Sequence, residues 1–121
     1  MKILVVEDDE VTLKALEYRL KLEDFDITAA SDGKAAAKLL LVETFDLIVS
    51  DILMPHVNGL ELLNMVRCDM KLSTPFVVMS FLGQSNNTHK AIEIGASDFI
   101  EKPIDIDELI GKIKKYKKVA V

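Results

Sequence analysis

Five short apolar segments alternate along this chain with five segments in which apolar residues recur at helical spacing. The predicted strands are Lys2–Glu7, Phe25–Ala30, Asp46–Ser50, Pro75–Ser80 and Ser97–Glu101. The predicted helices are Glu10–Glu23, Gly33–Val42, Leu60–Met70, Asn86–Ile94 and Asp105–Lys117. Alternating β and α units imply parallel strands joined by right-handed crossovers, with helices on both faces of the sheet. The sequence therefore predicts an α/β fold, in which a doubly wound, five-stranded parallel sheet lies between two layers of helices.

Length and composition narrow the class of protein. We expect the 121 residues to form one domain over residues 1–121. A net charge of −5 argues against direct nucleic-acid binding, and apolar runs such as Leu39–Val42 are too short to cross a membrane. The acids after the first strand are unlike the cleavage site of a signal peptide. The single cysteine, Cys68, fits a reducing compartment, so we expect a cytoplasmic protein.

Charged and hydroxyl side chains follow four of the five predicted strands. Asp8 and Asp9 follow the first strand, Asp51 follows the third, Ser80 closes the fourth, and Lys102 follows the fifth. Because ligands of open parallel sheets bind beyond the carboxyl ends of the strands, we expect these groups to meet at one edge. Three converging carboxylates would repel one another without a cation, and oxygen ligands suit Mg²⁺. The pattern predicts a Mg²⁺-dependent phosphoryl acceptor.

Four separated motifs carry a resemblance to a known family. They are the acid pair Asp8-Asp9, the segment Asp51–Gly59 (DILMPHVNG), Ser80, and Lys102-Pro103. In this order, the chain resembles the receiver domain of two-component signalling from residue 2 to about residue 117. The resemblance implies a flavodoxin-like sheet of strand order 2-1-3-4-5 and a switch that accepts a phosphoryl group from a histidine kinase.

The resemblance also implies a role for each acidic residue. Asp51 is the expected phosphoryl acceptor. Asp8, Asp9, Asp51 and the backbone carbonyl of Leu53 are the expected Mg²⁺ ligands. Asp9 could instead serve only as the N-cap of the first helix, a position that favours aspartate.

Four residues near the other strand ends have expected roles in binding and switching. Ser80 and Lys102 would bind the phosphoryl group, and the bond from Lys102 to Pro103 would be cis. Ser80 and Phe99 would form the switch pair, in which the aromatic ring moves as the hydroxyl turns toward the phosphate. Phe99 could also be a core residue that never moves.

The resemblance sets the expected partners. A sensor histidine kinase or a phosphotransfer protein would donate the phosphoryl group, and an effector protein or domain would respond to it. Dimerisation on phosphorylation is compatible with the family. We expect no enzyme activity on an external substrate, only catalysis of the protein's own phosphorylation and dephosphorylation. The sequence leaves open whether this is a stand-alone receiver or part of a longer regulator, and which kinase and process it serves.

One position departs from the family pattern. The residue after the switch hydroxyl is commonly Ala or Gly, and here it is Phe81. A large ring there would narrow the entrance to the acceptor. Leu53 and Leu82 are apolar at the two positions from which a side chain could orient a hydrolytic water. These residues predict a long-lived phosphorylated state.

Three other classes of protein are weaker alternatives. A phosphatase that works through an aspartyl-phosphate would have a second aspartate two residues after Asp51, where this chain has Leu53. A flavin or nucleotide binder would have a phosphate-binding loop where Asp8 and Asp9 stand. A degenerate receiver that only binds partners would not need the acceptor residues. Metal binding by His56 is disfavoured because Mg²⁺ prefers oxygen.

Overall fold

The computed structural model describes residues 1–54, 57–81 and 85–117. Its five strands are β1 (Lys2–Val6), β2 (Asp26–Ala30), β3 (Leu47–Asp51), β4 (Phe76–Phe81) and β5 (Asp98–Lys102). All paired strands are parallel, and they form one sheet in the order β2-β1-β3-β4-β5. The predicted fold and strand order are confirmed.

Among the described residues, five α-helices connect and cover the strands. They are α1 (Glu10–Lys21), α2 (Gly33–Val42), α3 (Gly59–Asn64), α4 (Ser85–Ile94) and α5 (Ile106–Lys114). The sequence predicts one continuous third helix to Met70, whereas Met65–Asp69 forms a π-helical turn after α3. In that turn the N–H of Met70 donates to the carbonyl of Met65 at 2.8 Å, which is the i→i+5 spacing of a π-helix. Within the described ranges, no helix is both long and apolar enough to cross a membrane.

The apolar core has one part on each face of the sheet. Side chains of β1, β3 and β4 alternate between the two faces, as they must in an extended strand. On one face they pack with Leu13, Leu16 and Leu20 of α1 and with Leu109 and Ile113 of α5. On the other face they pack with side chains of α2, α3 and α4, which are Ala36, Leu40, Leu62, Leu63 and Ala91. This arrangement is the predicted three-layer structure.

Side-chain caps begin three of the helices. Asp32 accepts a hydrogen bond from the N–H of Ala35 at 2.7 Å, and Asn58 accepts one from the N–H of Glu61 at 2.9 Å. Asp105 accepts from two N–H groups at the start of α5. Such caps satisfy amide groups that the first turn of a helix leaves unpaired.

Three strands extend one residue beyond their predicted ends. The sheet pairing continues through Asp51, which is in register with Met79, and through Phe81, which is in register with Lys102. The N–H of Ile52 also donates to the carbonyl of Met79 at 3.0 Å. The functional candidates at these positions are therefore the last residues of their strands and are held by the sheet itself.

Candidate functional site

Strand alternation brings two carboxylates and a lysine to the same face of the sheet. In β1, Ile3 and Val5 point toward α1 and α5, and Glu7 continues that alternation one residue past the strand. Asp51 ends β3 and Lys102 ends β5. Each lies on the same face of the sheet as the core residue two positions before it. Because all of these strands are parallel, the three side chains emerge at one edge.

Lys102 joins the two buried carboxylates. Its Nζ lies 2.5 Å from Oε2 of Glu7 and 2.8 Å from Oδ2 of Asp51. Glu7 is 1% exposed and Asp51 is 4% exposed. Buried charges need charged or hydrogen-bonding partners, and each carboxylate has the same ammonium group as its partner.

Burial and pairing shift two of these pKa values. Burial raises the pKa of Glu7 above its ordinary value; the hydrogen bond from Lys102 opposes this shift, and the nearby charge of Asp51 adds to it. Burial alone would lower the pKa of Lys102, but its hydrogen bonds to Asp51 and Glu7 raise it overall. The carboxylates of Glu7 and Asp51 therefore share one ammonium group, that of Lys102. When both carboxylates are ionised, their negative charge exceeds the positive charge of the lysine.

The charge and the ligand type of this cluster fit a divalent cation. Glu7, Asp8 and Asp51 each offer a carboxylate oxygen, and these oxygens lie within 4.8 Å of one another. Asp8 is exposed at the mouth of the site, whereas the other two are buried. Carboxylate oxygens are preferred ligands of Mg²⁺, which also keeps several waters when it binds to proteins.

The acid pair in this cluster is Glu7 and Asp8, rather than the predicted Asp8 and Asp9. Asp9 is exposed at the N-cap position of α1, and its carboxylate accepts a hydrogen bond from the hydroxyl of Thr12. That hydrogen bond is the main cause that lowers the pKa of Asp9. The structure thus places Asp9 at the N-cap position considered for it from the sequence, although its carboxylate accepts from the Thr12 hydroxyl and caps no backbone amide.

Sequence reasoning missed Glu7 because it was counted as the last residue of an apolar strand. A signal was nonetheless present, since residues 3, 5 and 7 share one face of an extended chain. A carboxylate on a face that is otherwise apolar needs a partner or a function.

An open cavity of 540 Å³ lies over this cluster. Besides the charged groups, Val11 and Ala15 of α1, Leu53, Phe81 and Ile104 line it. Phe81 is 56% exposed, and the centroid of its ring lies 5.2 Å from Nζ of Lys102. This large side chain therefore stands beside the acidic cluster, in the cavity that lies over it.

Ser80 does not face this cavity. Its side chain is 2% exposed and has the opposite parity along β4, on the face covered by α4. Oγ of Ser80 lies 3.2 Å from Oγ1 of Thr88 on α4. Phe99 lies on β5 in register with Val78 and is 38% exposed. The structure therefore places Ser80 and Phe99 on the opposite face of the sheet from the acidic cluster.

The remaining predicted residues lie around the cluster. The bond between Lys102 and Pro103 is cis, and Leu53 is an exposed residue of the cavity wall. Gly59 returns the chain to the end of β3, where a β-carbon on residue 59 would lie 2.1 Å from the carbonyl oxygen of Asp51. His56 and Leu82 lie outside the described residues.

A parallel sheet of this strand order, with acids and a lysine at its carboxyl edge, defines an acidic receiver-type site. The sequence of residues 3–114 matches the response regulator receiver domain family. This chain therefore belongs to the response regulator receiver domains of two-component signalling. Receiver domains generally bind Mg²⁺ at an acidic cluster, and response regulators work with histidine kinases and effector domains.

Similar proteins include full-length regulators and an isolated receiver. Response regulator ArlR of Staphylococcus saprophyticus is 34% identical over 93% of this chain and 50% of its own length. Transcriptional regulatory protein CrdR of Helicobacter pylori is 34% identical over 95% of this chain and 54% of its own length. The receiver domain of the Francisella response regulator 1452 is 32% identical with a TM-score of 0.88, covering 95% of this chain and 94% of that one. This chain thus spans about half the length of these two curated relatives.

Proposed function

We propose that Asp51 accepts a phosphoryl group and that its phosphorylation is the signal this chain transmits. The observation that carries the proposal is the position of the Lys102 ammonium, 2.8 Å from Asp51 and 2.5 Å from the buried Glu7. A cation held beside a buried carboxylate at an open cavity can neutralise charge on an incoming phosphoryl group. Positioning and charge neutralisation are most of what phosphoryl transfer requires.

We further propose that Glu7, Asp8 and Asp51 hold Mg²⁺. Their oxygens lie close enough together to share one ion. When bound, Mg²⁺ would neutralise charge on the acids and on the phosphoryl oxygens. The carbonyl of Leu53 stays a predicted fourth ligand. Asp9 is not included, because its carboxylate is engaged with Thr12.

The transfer step follows from the chemistry of Asp51. A carboxylate oxygen of Asp51 attacks the phosphorus of a phosphohistidine in the donor, forming an O–P bond as the N–P bond breaks. The electron pair of that bond returns to the imidazole nitrogen, which is left neutral once it takes a proton. Lys102 stays near the phosphoryl oxygens and stabilises their charge. Hydrolysis later returns Asp51 to its free carboxylate and releases phosphate.

Ser80 and Phe99 are the proposed switch residues. Ser80 would turn its hydroxyl toward the phosphoryl group and donate a hydrogen bond to it. Support comes from its position at the end of β4, one residue beyond the residue paired with Asp51. Phe99 lies on the neighbouring strand β5 in register with Val78, two residues before Ser80, and its partial exposure leaves its ring room to move.

The proposal extends to the partners of this chain, its domain organisation and its location in the cell. A histidine kinase or a phosphotransfer protein would supply the phosphoryl group, and an effector domain or protein would respond. We propose that residues 1–121 act as one receiver domain in the cytoplasm, that they process no external substrate, and that any dimer depends on phosphorylation. The family membership and the length of the curated relatives are compatible with a regulator that has further domains.

Intact-mass measurement tests the proposal directly. The protein is incubated with Mg²⁺ and acetyl phosphate, with Asp51→Asn in parallel. We expect one phosphoryl increment on the wild type that hydroxylamine removes, and none on the variant. A wild type that gains no increment, or an Asp51→Asn variant that gains the same one, would refute Asp51 as the acceptor.

A further inference from the structure

The buried hydroxyl of Ser80 has a partner on α4. Ser80 is 2% exposed, and its Oγ lies 3.2 Å from Oγ1 of Thr88. A buried hydroxyl that lost its hydrogen bond would be costly, so this contact restrains the rotamer of Ser80. The contact points away from the acidic cluster, since Ser80 and Asp51 have opposite parity in the sheet.

Thr88 lies on the face of α4 that packs against the sheet. Ala91, which is fully buried, follows it by one helical turn on the same face. Thr88 is itself partly buried. The position of the Thr88 hydroxyl is therefore set by the packing of α4 against the sheet. Rotation of Ser80 away from Thr88 would break a contact between β4 and α4.

We infer that Thr88 is a positioning residue that holds Ser80 in the unphosphorylated orientation and links phosphorylation of Asp51 to α4. The inference rests on the proposed function, in which the Ser80 hydroxyl must turn to reach the phosphoryl group. The two orientations are mutually exclusive because the single Cβ–Oγ bond of Ser80 cannot point toward α4 and toward the acidic cluster at the same time. Thr88 and the phosphoryl group thus compete for Ser80.

This competition has a consequence for affinity. A ligand shifts a two-state equilibrium by its different affinity for the two states. Removing the Thr88 hydroxyl removes the hydrogen bond that stabilises the orientation in which Ser80 faces α4. A phosphoryl group, or a mimic of it, then binds more tightly. By reciprocity, phosphorylation weakens the attachment of α4 to the end of β4.

Beryllofluoride with Mg²⁺ is the probe, because it mimics a phosphoryl group at a carboxylate and binds reversibly. Its Kd is measured by ¹⁹F NMR on the full chain. Thr88→Val keeps the shape of the side chain but lacks the hydroxyl. We expect this variant to bind beryllofluoride about fivefold more tightly than the wild type, which corresponds to the net free energy of one hydrogen bond. Thr88→Ser retains a hydroxyl and should bind like the wild type. If Thr88→Val fails to fold, Thr88→Ala replaces it with the same expectation.

A double-mutant cycle separates positioning from a general structural effect. In a Ser80→Ala background, Thr88→Val should leave the Kd unchanged, because the hydroxyl it competes for is gone. An unchanged Kd for Thr88→Val in the wild-type background, or the same tightening in the Ser80→Ala background, would overturn the role of Thr88 alone. A wild type that does not bind the probe would instead overturn the proposed acceptor site, together with the inference that rests on it.

Discussion

Lys102 determines the electrostatics of the site at the scale of single residues. One ammonium group contacts two buried carboxylates, Glu7 and Asp51. Its raised pKa keeps it protonated, whereas burial works against ionisation of Glu7. The site therefore attracts a further cation, since three carboxylates, those of Glu7, Asp8 and Asp51, surround a single lysine.

Phe81 gives a prediction at this scale. Its ring stands beside Lys102 in the cavity over Asp51. We expect Phe81→Ala to admit water more readily and to shorten the half-life of phosphorylated Asp51 roughly threefold, equivalent to about 0.6 kcal/mol in the barrier to hydrolysis. Intact mass after removal of the donor gives the half-life. Phe81→Tyr keeps the ring and should have the half-life of the wild type. If Phe81→Ala also has the half-life of the wild type, the ring does not shield phosphorylated Asp51 from water.

At the scale of elements, each chemical group is placed by the end of a strand or the start of a helix. Sheet pairing holds Asp51 and Lys102 as terminal strand residues. Helix α5 begins just beyond Lys102 and is capped by Asp105, which accepts hydrogen bonds from the N–H groups of Asp107 and Glu108 at 3.0 and 3.3 Å. The cap thus stabilises the turn through which β5 passes into the last helix.

Replacing this cap should cost measurable stability. We expect Asp105→Ala to lower the free energy of unfolding by about 1 kcal/mol, because two amide groups at the start of α5 lose their acceptor. Urea denaturation measures the change. Asp107→Asn is the matched control, since its exposed carboxylate makes only a 3.4 Å contact with Arg19 and such pairs contribute little. Equal losses for both variants would show that the cap geometry is not the cause.

At the scale of the whole molecule, repulsion between the buried carboxylates works against folding, and Lys102 offsets part of it. Two carboxylates about 5 Å apart repel by roughly 3 kcal/mol at an effective dielectric of about 20. The raised pKa of Glu7 implies that its contribution to stability is full below its unfolded pKa and is lost as pH rises through its folded pKa. Without metal, ionised Glu7 therefore lowers stability at neutral pH.

The matched pair Glu7→Gln and Asp9→Asn tests this account. Without metal, we expect Glu7→Gln to melt higher than the wild type at pH 7, with the difference shrinking as the pH falls toward 4. Mg²⁺ at about a hundred times its Kd should stabilise the wild type and Asp9→Asn by about 2.7 kcal/mol, and Glu7→Gln by less than about half of that.

Thermal denaturation with and without Mg²⁺, repeated across this pH range, makes the comparison. Loss of the Mg²⁺ effect in Asp9→Asn but not in Glu7→Gln would restore the acid pair predicted from the sequence.

The sequence patterns by themselves determined the fold class and the edge at which the site lies, and the resemblance to receiver domains added the strand order. Five apolar runs alternating with helical patterns allow few other arrangements, and parallel strands collect their carboxyl ends at one edge. Asp51 and Lys102 were found from the sequence because each directly follows a buried run. Their positions relative to the strand ends were off by one residue, since sequence patterns do not show where hydrogen-bonded pairing stops.

Only the tertiary structure decided which groups share the site. Whether Glu7 or Asp9 joins Asp51 depends on where β1 ends and α1 begins, because Glu7 continues the alternation of β1 whereas Asp9 stands at the N-cap of α1. The partner of Ser80 is likewise a matter of packing, because Thr88 reaches it from α4. Local sequence patterns predict elements and their ends, but contacts between distant elements follow from how those elements pack together.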